Sequence, residues 1–351
     1  MTMWFGLDVN QGKRATILDL KSKDGRAAFP RLVESADVVL HNFLDRSAES
    51  LGISHDQLAA INPDIISCQI SAWGGPDGGP LKDDPAFDPV LQAATGIMSR
   101  FGSPETPVMH AVASCVDYIT GFTATLGIAQ ALLARDLGRG GAAVRTSLAM
   151  GAQLVQFPFM IDHDGVTQGA EPSGQDALGE GAHCRLYRAS DGWAFVACAP
   201  DAVAELAAAL GAVDSSEDAI ATAVSGKTID AVSAALAEVP GASAVRVSSL
   251  EQVRRMRTID VDATSPVALN GGSVVLARFK HPGGVTATLP LQTWHRSEVT
   301  PVRRLWPAPL PGADTRGVLG ELGYSEAEIE DLFATGAAMD HWPAMDAYLP
   351  G

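Results

Sequence analysis

Three short aliphatic runs at a regular pitch limit the fold more than any other feature. They are Ala15–Leu20, Val38–His41 and Ile65–Ile70, separated by the helix-like patterns Lys23–Ser35 and Ser54–Ile61. Strand, helix, strand, helix, strand at this spacing predicts parallel βαβ units with right-handed crossovers. Ser54 with Gln57 three residues on has capping-box spacing, which marks the start of the second helix. Pro30, inside the first helical pattern, is expected to kink or shorten it.

After Ile70 the Gly- and Pro-rich stretch 71–89 reads as a loop, and long loops in compact domains often carry function. Asp88–Met98 resumes a helical pattern, and Gly102–Pro107 is a turn. From Asp117 the apolar positions Ile119, Phe122, Leu126, Ala129 and Leu133 follow helical spacing. Gly121 and Gly127 thin one face of that helix for a close backbone neighbour, and Gly138, Gly140 and Gly141 end it. Val144–Leu148 is the next expected strand and Met150–Ile161 a further buried helix.

A domain boundary is expected within His163–Gly181. There Gly169, Gly174, Gly179 and Gly181 read equally as a mobile lid or a plain linker. Beyond it Cys184–Tyr187 and Trp193–Ala197 flank Asp191-Gly192, a hairpin signal. Helices Asp201–Leu210 and Thr228–Ala237 and a strand at Ala244–Val247 complete a smaller α+β domain over 165–259. Strands at Ser273–Phe279 and Val285–Leu289 surround the His281-Pro282-Gly283-Gly284 turn, and Arg303–Pro311 is extended. Ser325 and Glu328 have capping-box spacing at the head of a last helix, Ser325–Phe333.

Composition excludes several classes. Lys+Arg 25 against Asp+Glu 41 gives a net charge of −16, which opposes nucleic-acid binding without a local basic patch. The groupings Lys13-Arg14, Arg254–Arg257 and Arg303-Arg304 are short enough to be solvated surface. No basic leader precedes an apolar run, and no apolar run reaches the length of a membrane span, so a cytoplasmic protein is expected. Cys68, Cys115, Cys184 and Cys198 form no CxxC pair and read as small buried apolar residues. The eight histidines lack metal-ligand spacing, so no metal is expected. Gly-x-Ser-x-Gly, Walker A and post-strand GxGxxG motifs are all absent.

Asp117 has two readings. It is the kind of residue that caps a helix, because a carboxylate accepts the free amide protons of the first turn. The same positive helix end would keep it ionised in an apolar pocket, available as nucleophile or base.

An ordered series of matches extends along most of the chain. It runs Asn10–Arg14 into Leu18–Lys21, Ala36–Val39 to Asn42-Phe43, Leu51-Gly52, Asn62-Pro63, Ser71–Gly74, Pro85–Asp88, Asp117 with Thr120-Gly121, and Gly138–Gly140. Pro307–Pro309, Gly312–Thr315 and Leu322–Tyr324 close it. In this series the chain resembles the class III CoA-transferase family, which includes formyl-CoA transferase, carnitine CoA-transferase and α-methylacyl-CoA racemase.

The resemblance implies an α/β fold, an open Rossmann-like parallel sheet in a large domain built from 1–164 and the return segment 260–351. The smaller α+β domain is inserted between them, and two chains interlock as a dimer. It implies acyl-CoA:carboxylate CoA-transferase activity, with Asp117 attacking the thioester to form an acyl anhydride. Coenzyme A and acyl-CoA are then substrates, with Asn42, Phe43, Arg46, Lys13 and Gly121 near CoA, Lys82 a further phosphate candidate, and Phe87 lining the acyl pocket.

Three departures stand out. The family's usual N-terminal βαβ unit is missing ahead of Asn10, so part of the CoA site is expected either to come from a partner chain or to be missing. Leu44 stands where the family carries an arginine, leaving Arg46 and Lys13 to face the phosphates. Phe87 and Pro200 stand where racemase members carry their second base and an acid, which argues against racemisation. A non-catalytic or partner-dependent paralogue is the alternative to an enzyme complete in itself.

Overall fold

The computed structural model describes residues 3–75, 79–110, 115–167, 174, 177–260, 276–290 and 307–342. The chain divides into two units, one made of 1–36 with 249–351 and the other of 37–248. The first unit opens with α1 (Met3–Val9), β1 (Ile17–Leu18) and α2 (Lys23–Glu34). The second carries β2 (Val38–His41), α3 (Asp45–Leu51), α4 (His55–Ile61), β3 (Ile66–Ser71), α5 (Asp88–Ala94), α6 (Ile97–Phe101), α7 (Cys115–Ala134), β4 (Ala142–Ser147) and α8 (Leu148–Gln156). It continues through β5 (Asp162–His163), β6 (Val166–Thr167), β7 (Gly179–Gly181), β8 (Cys184–Ala189), β9 (Gly192–Ala197), α9 (Val203–Leu210), α10 (Glu217–Ser225), α11 (Ile229–Leu236) and β10 (Ser243–Arg246). The first unit resumes with α12 (Leu250–Arg257), β11 (Thr258–Asp260), β12 (Leu276–Lys280), β13 (Thr286–Pro290), α13 (Thr315–Glu321), α14 (Glu326–Ala334) and β14 (Ala338–Met339).

A parallel sheet of order β2-β3-β4 anchors the second unit, with Leu40 opposite Cys68 and Cys68 opposite Val144. Consecutive residues Ile66–Gln69 are all buried, as a central strand covered on both faces requires. Helix α7 lies on this sheet. Thr123 bonds Thr146 at 3.2 Å, and a Cβ on Gly127 would come within 2.7 Å of Val144 Cγ1. Helix residues rise as strand residues fall, so α7 runs antiparallel to β4 and its N-terminus projects beyond the carboxyl ends of the strands. Gly151 admits α8 in the same way, since a Cβ there would stand 2.3 Å from Thr120 Oγ1.

Ala15–Leu20 departs from expectation. Only Ile17–Leu18 is strand, and it pairs antiparallel with Ala338–Met339 instead of extending a βαβ series. Asp314 and Thr315 hold it, accepting from the Ala15 and Ile17 amides at 2.8 and 3.0 Å. Helix α2 continues through Pro30 to Glu34, capped by Ser22, so the proline does not end it. Both expected capping boxes form, at Ser54/Gln57 and Ser325/Glu328.

A second sheet, antiparallel and of order β10-β9-β8-β7, folds around the hairpin at Ser190-Asp191. Asp191 also accepts from the Ile229 amide at 2.9 Å and pairs with Arg246 at 2.7 Å, tying the turn to α11 and β10. Tyr187, Ala194 and Val196 bury one sheet face against Leu206, Ile220 and Val232 of α9–α11. Gly179 and Gly181 belong to β7, both at φ 147°, and a Cβ on Gly179 would meet the Cys184 carbonyl oxygen at 2.2 Å. Those two glycines are therefore strand, while Gly169 lies outside the described residues.

Helix α8 and the 3₁₀ turn Phe157–Met160 after it are not buried throughout: Met150, Leu154, Phe157 and Met160 are each more than half exposed. Phe122, Leu126 and Leu133 expose the outer side of α7. Cys115–Arg139 is also long and apolar enough to cross a membrane by length and composition, contrary to the expectation from the sequence. Its inner side, however, packs on an open sheet, and open sheets do not occur in hydrocarbon. All four cysteines are free, but only Cys68 is buried.

Two predictions follow from this packing. Gly151→Ala forces α8 off Thr120 and is expected to cost about 1–3 kcal/mol in denaturant unfolding. Burial pushes the imidazoles of His41 and His281 below their ordinary value of 6.5, with Arg145 adding to the effect at His41. The unfolded chain therefore binds more protons below pH 6.5, and stability falls as pH drops from 6.5 through the lowered native values. Melting temperatures at pH 7.5 and 5.5 are expected to differ less in His281→Gln than in the parent.

Candidate active site

Helix α7 begins at Cys115, which makes Asp117 the third residue of its first turn and not the cap before it. Asp88, at the start of α5, is only 2 % exposed, and its Oδ2 accepts from the amides of Val116 at 2.8 Å and Asp117 at 3.1 Å. Its Oδ1 accepts from Gln92 Nε2 at 2.5 Å, one helical turn along. Gln92 in turn reads the backbone of His110, accepting from its amide at 2.9 Å and donating to its carbonyl at 3.4 Å. One buried Asp–Gln pair thus fixes both the approach to α7 and its first turn.

This leaves the Asp117 side chain exposed. Gly121, one turn on and on the same helix face, has open space where its Cβ would be. Phe87 immediately precedes Asp88 and is 65 % exposed, so Asp117, Gly121 and Phe87 share one neighbourhood. Nearby, the Cys115 thiol is pushed up by burial and by the Asp88 charge, which makes a thiolate nucleophile unfavourable there.

Asn42 and Phe43 follow β2 at the carboxyl end of the sheet, the end from which α7's N-terminus projects, and both are exposed. In open α/β sheets ligands bind in crevices at that end. The Phe43 carbonyl accepts from Gln69 Nε2 at 2.9 Å, and the same Nε2 reaches Asp45 at 2.8 Å. Arg46 is exposed on α3, beside Asp45, which pairs with Arg145 at 3.0 Å. A cavity of about 380 Å³ lined by His41, Asp45, His55, Ser67, Gln69 and Arg145 lies against the face of the sheet opposite α7. Lys13 belongs to the other unit, where its ammonium donates to Asn10 Oδ1 at 3.3 Å. Lys82 follows a short 3₁₀ turn, Gly79–Leu81, and is exposed. Among the described residues no group of three or more His, Cys, Asp or Glu is placed to hold a metal ion.

The family model for CoA-transferase family III matches residues 1–315. The chain belongs to CoA-transferase family III. Relatives in the family include the CoA-transferase/lyase DddD of Marinomonas sp. (strain MWYL1), 33 % identical over 96 % of this chain and 41 % of that protein. The acetyl-CoA:oxalate CoA-transferase of Acetobacter aceti is 37 % identical over 40 % of this chain and 36 % of its own length. The chain therefore spans well under half of these relatives. The fold matches a CaiB/BaiF family protein from Brucella suis at TM-score 0.70 and 22 % identity, over 91 % of this chain and 84 % of that one. Rv3272 from M. tuberculosis matches at TM-score 0.66 and 21 % identity, over 88 % and 84 %.

Sequence reading assigned no role to Asp88 or Gln92. Asp88 opens a helix with proline next to it, a local start signal, but its partners lie 28 and 29 residues away. No periodicity reports such a contact. Asp88→Ala removes an acceptor from two helix amides and is expected to cost about 0.5–2 kcal/mol or more by denaturant unfolding, with Gln92→Leu, which leaves the α7 cap in place, costing less.

Proposed function

We propose that the chain is an acyl-CoA:carboxylate CoA-transferase with Asp117 as its nucleophile. The observation that carries this reading is the placement of Asp117. Its backbone is clamped by Asp88, its side chain is exposed, and the Cβ-less Gly121 leaves room beside it. In the reaction an Asp117 oxygen attacks the thioester carbonyl, the C–S bond breaks, and CoA leaves as thiolate. The acyl group is left on Asp117 as a mixed anhydride, about as activated as the thioester, so an acceptor carboxylate can exchange into the sequence with little loss of driving force. Water must be kept out, or the anhydride hydrolyses. Asn42, Phe43 and Arg46, at the carboxyl end of the sheet, are the proposed CoA contacts, with Phe87 the acyl-side wall and Lys13 a phosphate contact on the family resemblance alone. Names of the relatives support the class of reaction: an acetyl-CoA:oxalate CoA-transferase and a succinate–glutarate CoA-transferase are among them.

A partner chain is part of the proposal. Phe122, Leu126 and Leu133 on α7 and Met150, Leu154 and Phe157 on α8 and its 3₁₀ extension expose more apolar surface than a solvated face explains. A second copy, or a homologous chain completing the CoA site, would cover it. Racemisation is disfavoured because Phe87 has no proton to return from the opposite face.

The test is to incubate the protein with acetyl-, succinyl- and oxalyl-CoA, quench with hydroxylamine, and map the hydroxamate by mass spectrometry. Modification at Asp117, lost in Asp117→Asn, is the expected result. Trapping at another residue, or transfer that survives Asp117→Asn, would rule the nucleophile out. No trapping with any donor, alongside no CoA binding, would favour the partner-dependent paralogue.

A further inference from the structure

Gln92 stands on the second turn of α5, 1 % exposed, with both ends of its side-chain amide engaged. Its Oε1 accepts from the His110 amide at 2.9 Å, and its Nε2 donates to Asp88 Oδ1 at 2.5 Å and to the His110 carbonyl at 3.4 Å. Asp88 Oδ2 in turn accepts from the Val116 and Asp117 amides at 2.8 and 3.1 Å. The Asp117 backbone is thus linked to Gln92 by way of one carboxylate.

The side-chain type at 92 matters to that link. The Gln92 amide donates and accepts at once and carries no charge, so its bonds do not depend on pH. A leucine there would leave Asp88 Oδ1 and the His110 amide without these partners. A glutamate would still accept from the His110 amide, but it could donate to Asp88 only while protonated. Ionised, it would set two buried carboxylates against each other, and such pairs hold one proton between them until well above the ordinary carboxylate range. Helix α5 packs on α6, α7 and α8. The titratable groups these elements carry are Asp88 on α5, Arg100 on α6, and Cys115, Asp117 and Tyr118 on α7, with none on α8. His110 lies at the bonded backbone. All of them are common to the parent and to any variant at 92.

We propose that Gln92 is a positioning residue for the Asp117 nucleophile. It holds the Asp88 carboxylate in the orientation that fixes the first turn of α7, and so sets where the Asp117 backbone stands. Buried as it is, Gln92 acts through Asp88 and not by touching substrate. A reacting group displaced by about 1 Å can lose about a hundredfold in rate, so the loss of this hold is read in turnover. The effect on rate rests on the transferase reading above, whereas the effect on the turn does not.

The test compares the full chain with Gln92→Glu and Gln92→Leu at about pH 5.5 and pH 8. Two quantities are read. One is the rate of Asp117 acylation by the acyl-CoA that labels the parent fastest. The other is hydrogen exchange of the Cys115–Tyr118 amides, relative to the parent at the same pH. In Gln92→Glu both are expected within about threefold of the parent at the lower pH, where the introduced carboxyl is protonated. At the higher pH acylation is expected to fall about tenfold or more, with exchange of this turn faster by a similar factor and the half-saturating acyl-CoA concentration within about twofold. Gln92→Leu is expected to acylate about tenfold more slowly at both pH values. Circular dichroism and melting at each pH establish that the variants are folded, and a role in stability alone would leave the rate per folded molecule unchanged. A folded Gln92→Glu that matches the parent at the higher pH, or that loses equally at both, would overturn the proposal. Either result with the parent acylated at Asp117 leaves the transferase reading standing. If the parent is never acylated, the transferase reading falls and exchange alone decides. Faster exchange of this turn in Gln92→Glu at the higher pH only keeps Gln92 as its anchor, and unchanged exchange removes it.

Discussion

The buried carboxylate of Asp88 holds the candidate site together. A carboxylate excluded from water is costly unless it is hydrogen-bonded. Asp88 meets that demand with two amides of α7 and the side-chain amide of Gln92. Helix α7 gains a capping carboxylate from α5. The Asp117 side chain is exposed. The same contact spares α5 from being an isolated seven-residue helix, which would be marginal alone, because its first residue is locked to the longest helix in the second unit.

The sheet sets where this assembly sits. Gly127 lets α7 lie close on Val144, and Gly151 lets α8 lie close on Thr120. With the helix antiparallel to β4, its positive end comes to the edge where Asn42 and Phe43 emerge. The proposed nucleophile on one element and the proposed CoA contacts on another then lie on one side of the unit.

Much of this was legible in the sequence because it is local. Capping boxes at Ser54 and Ser325, the hairpin within Ala189–Gly192, and the runs that became β2, β3 and β4 each depend on residues within a few positions of one another. What was not legible depends on residues far apart in the chain. Ile17–Leu18 reads as the start of a βαβ series, yet its partner is Ala338–Met339. Gly179 and Gly181 read as loop because glycine usually is, but both sit in a strand at φ 147°, and at Gly179 close approach to Cys184 and Arg185 requires glycine. Helical periodicity located α7 and still did not say which of its apolar residues are covered. For the site itself, composition and spacing left Asp117 poised between cap and nucleophile. The ordered resemblance tilted that choice, and Asp88 accepts from two amides of the same turn.

Gly121 deserves a last consequence. Along a helix each Cα–Cβ bond leans toward the N-terminus. A side chain at 121 would therefore lean over the residue one turn earlier, which is Asp117. Nothing lies within 4 Å of where that Cβ would be. The missing methyl acts as an aperture. It leaves open space on the helix flank one turn from Asp117.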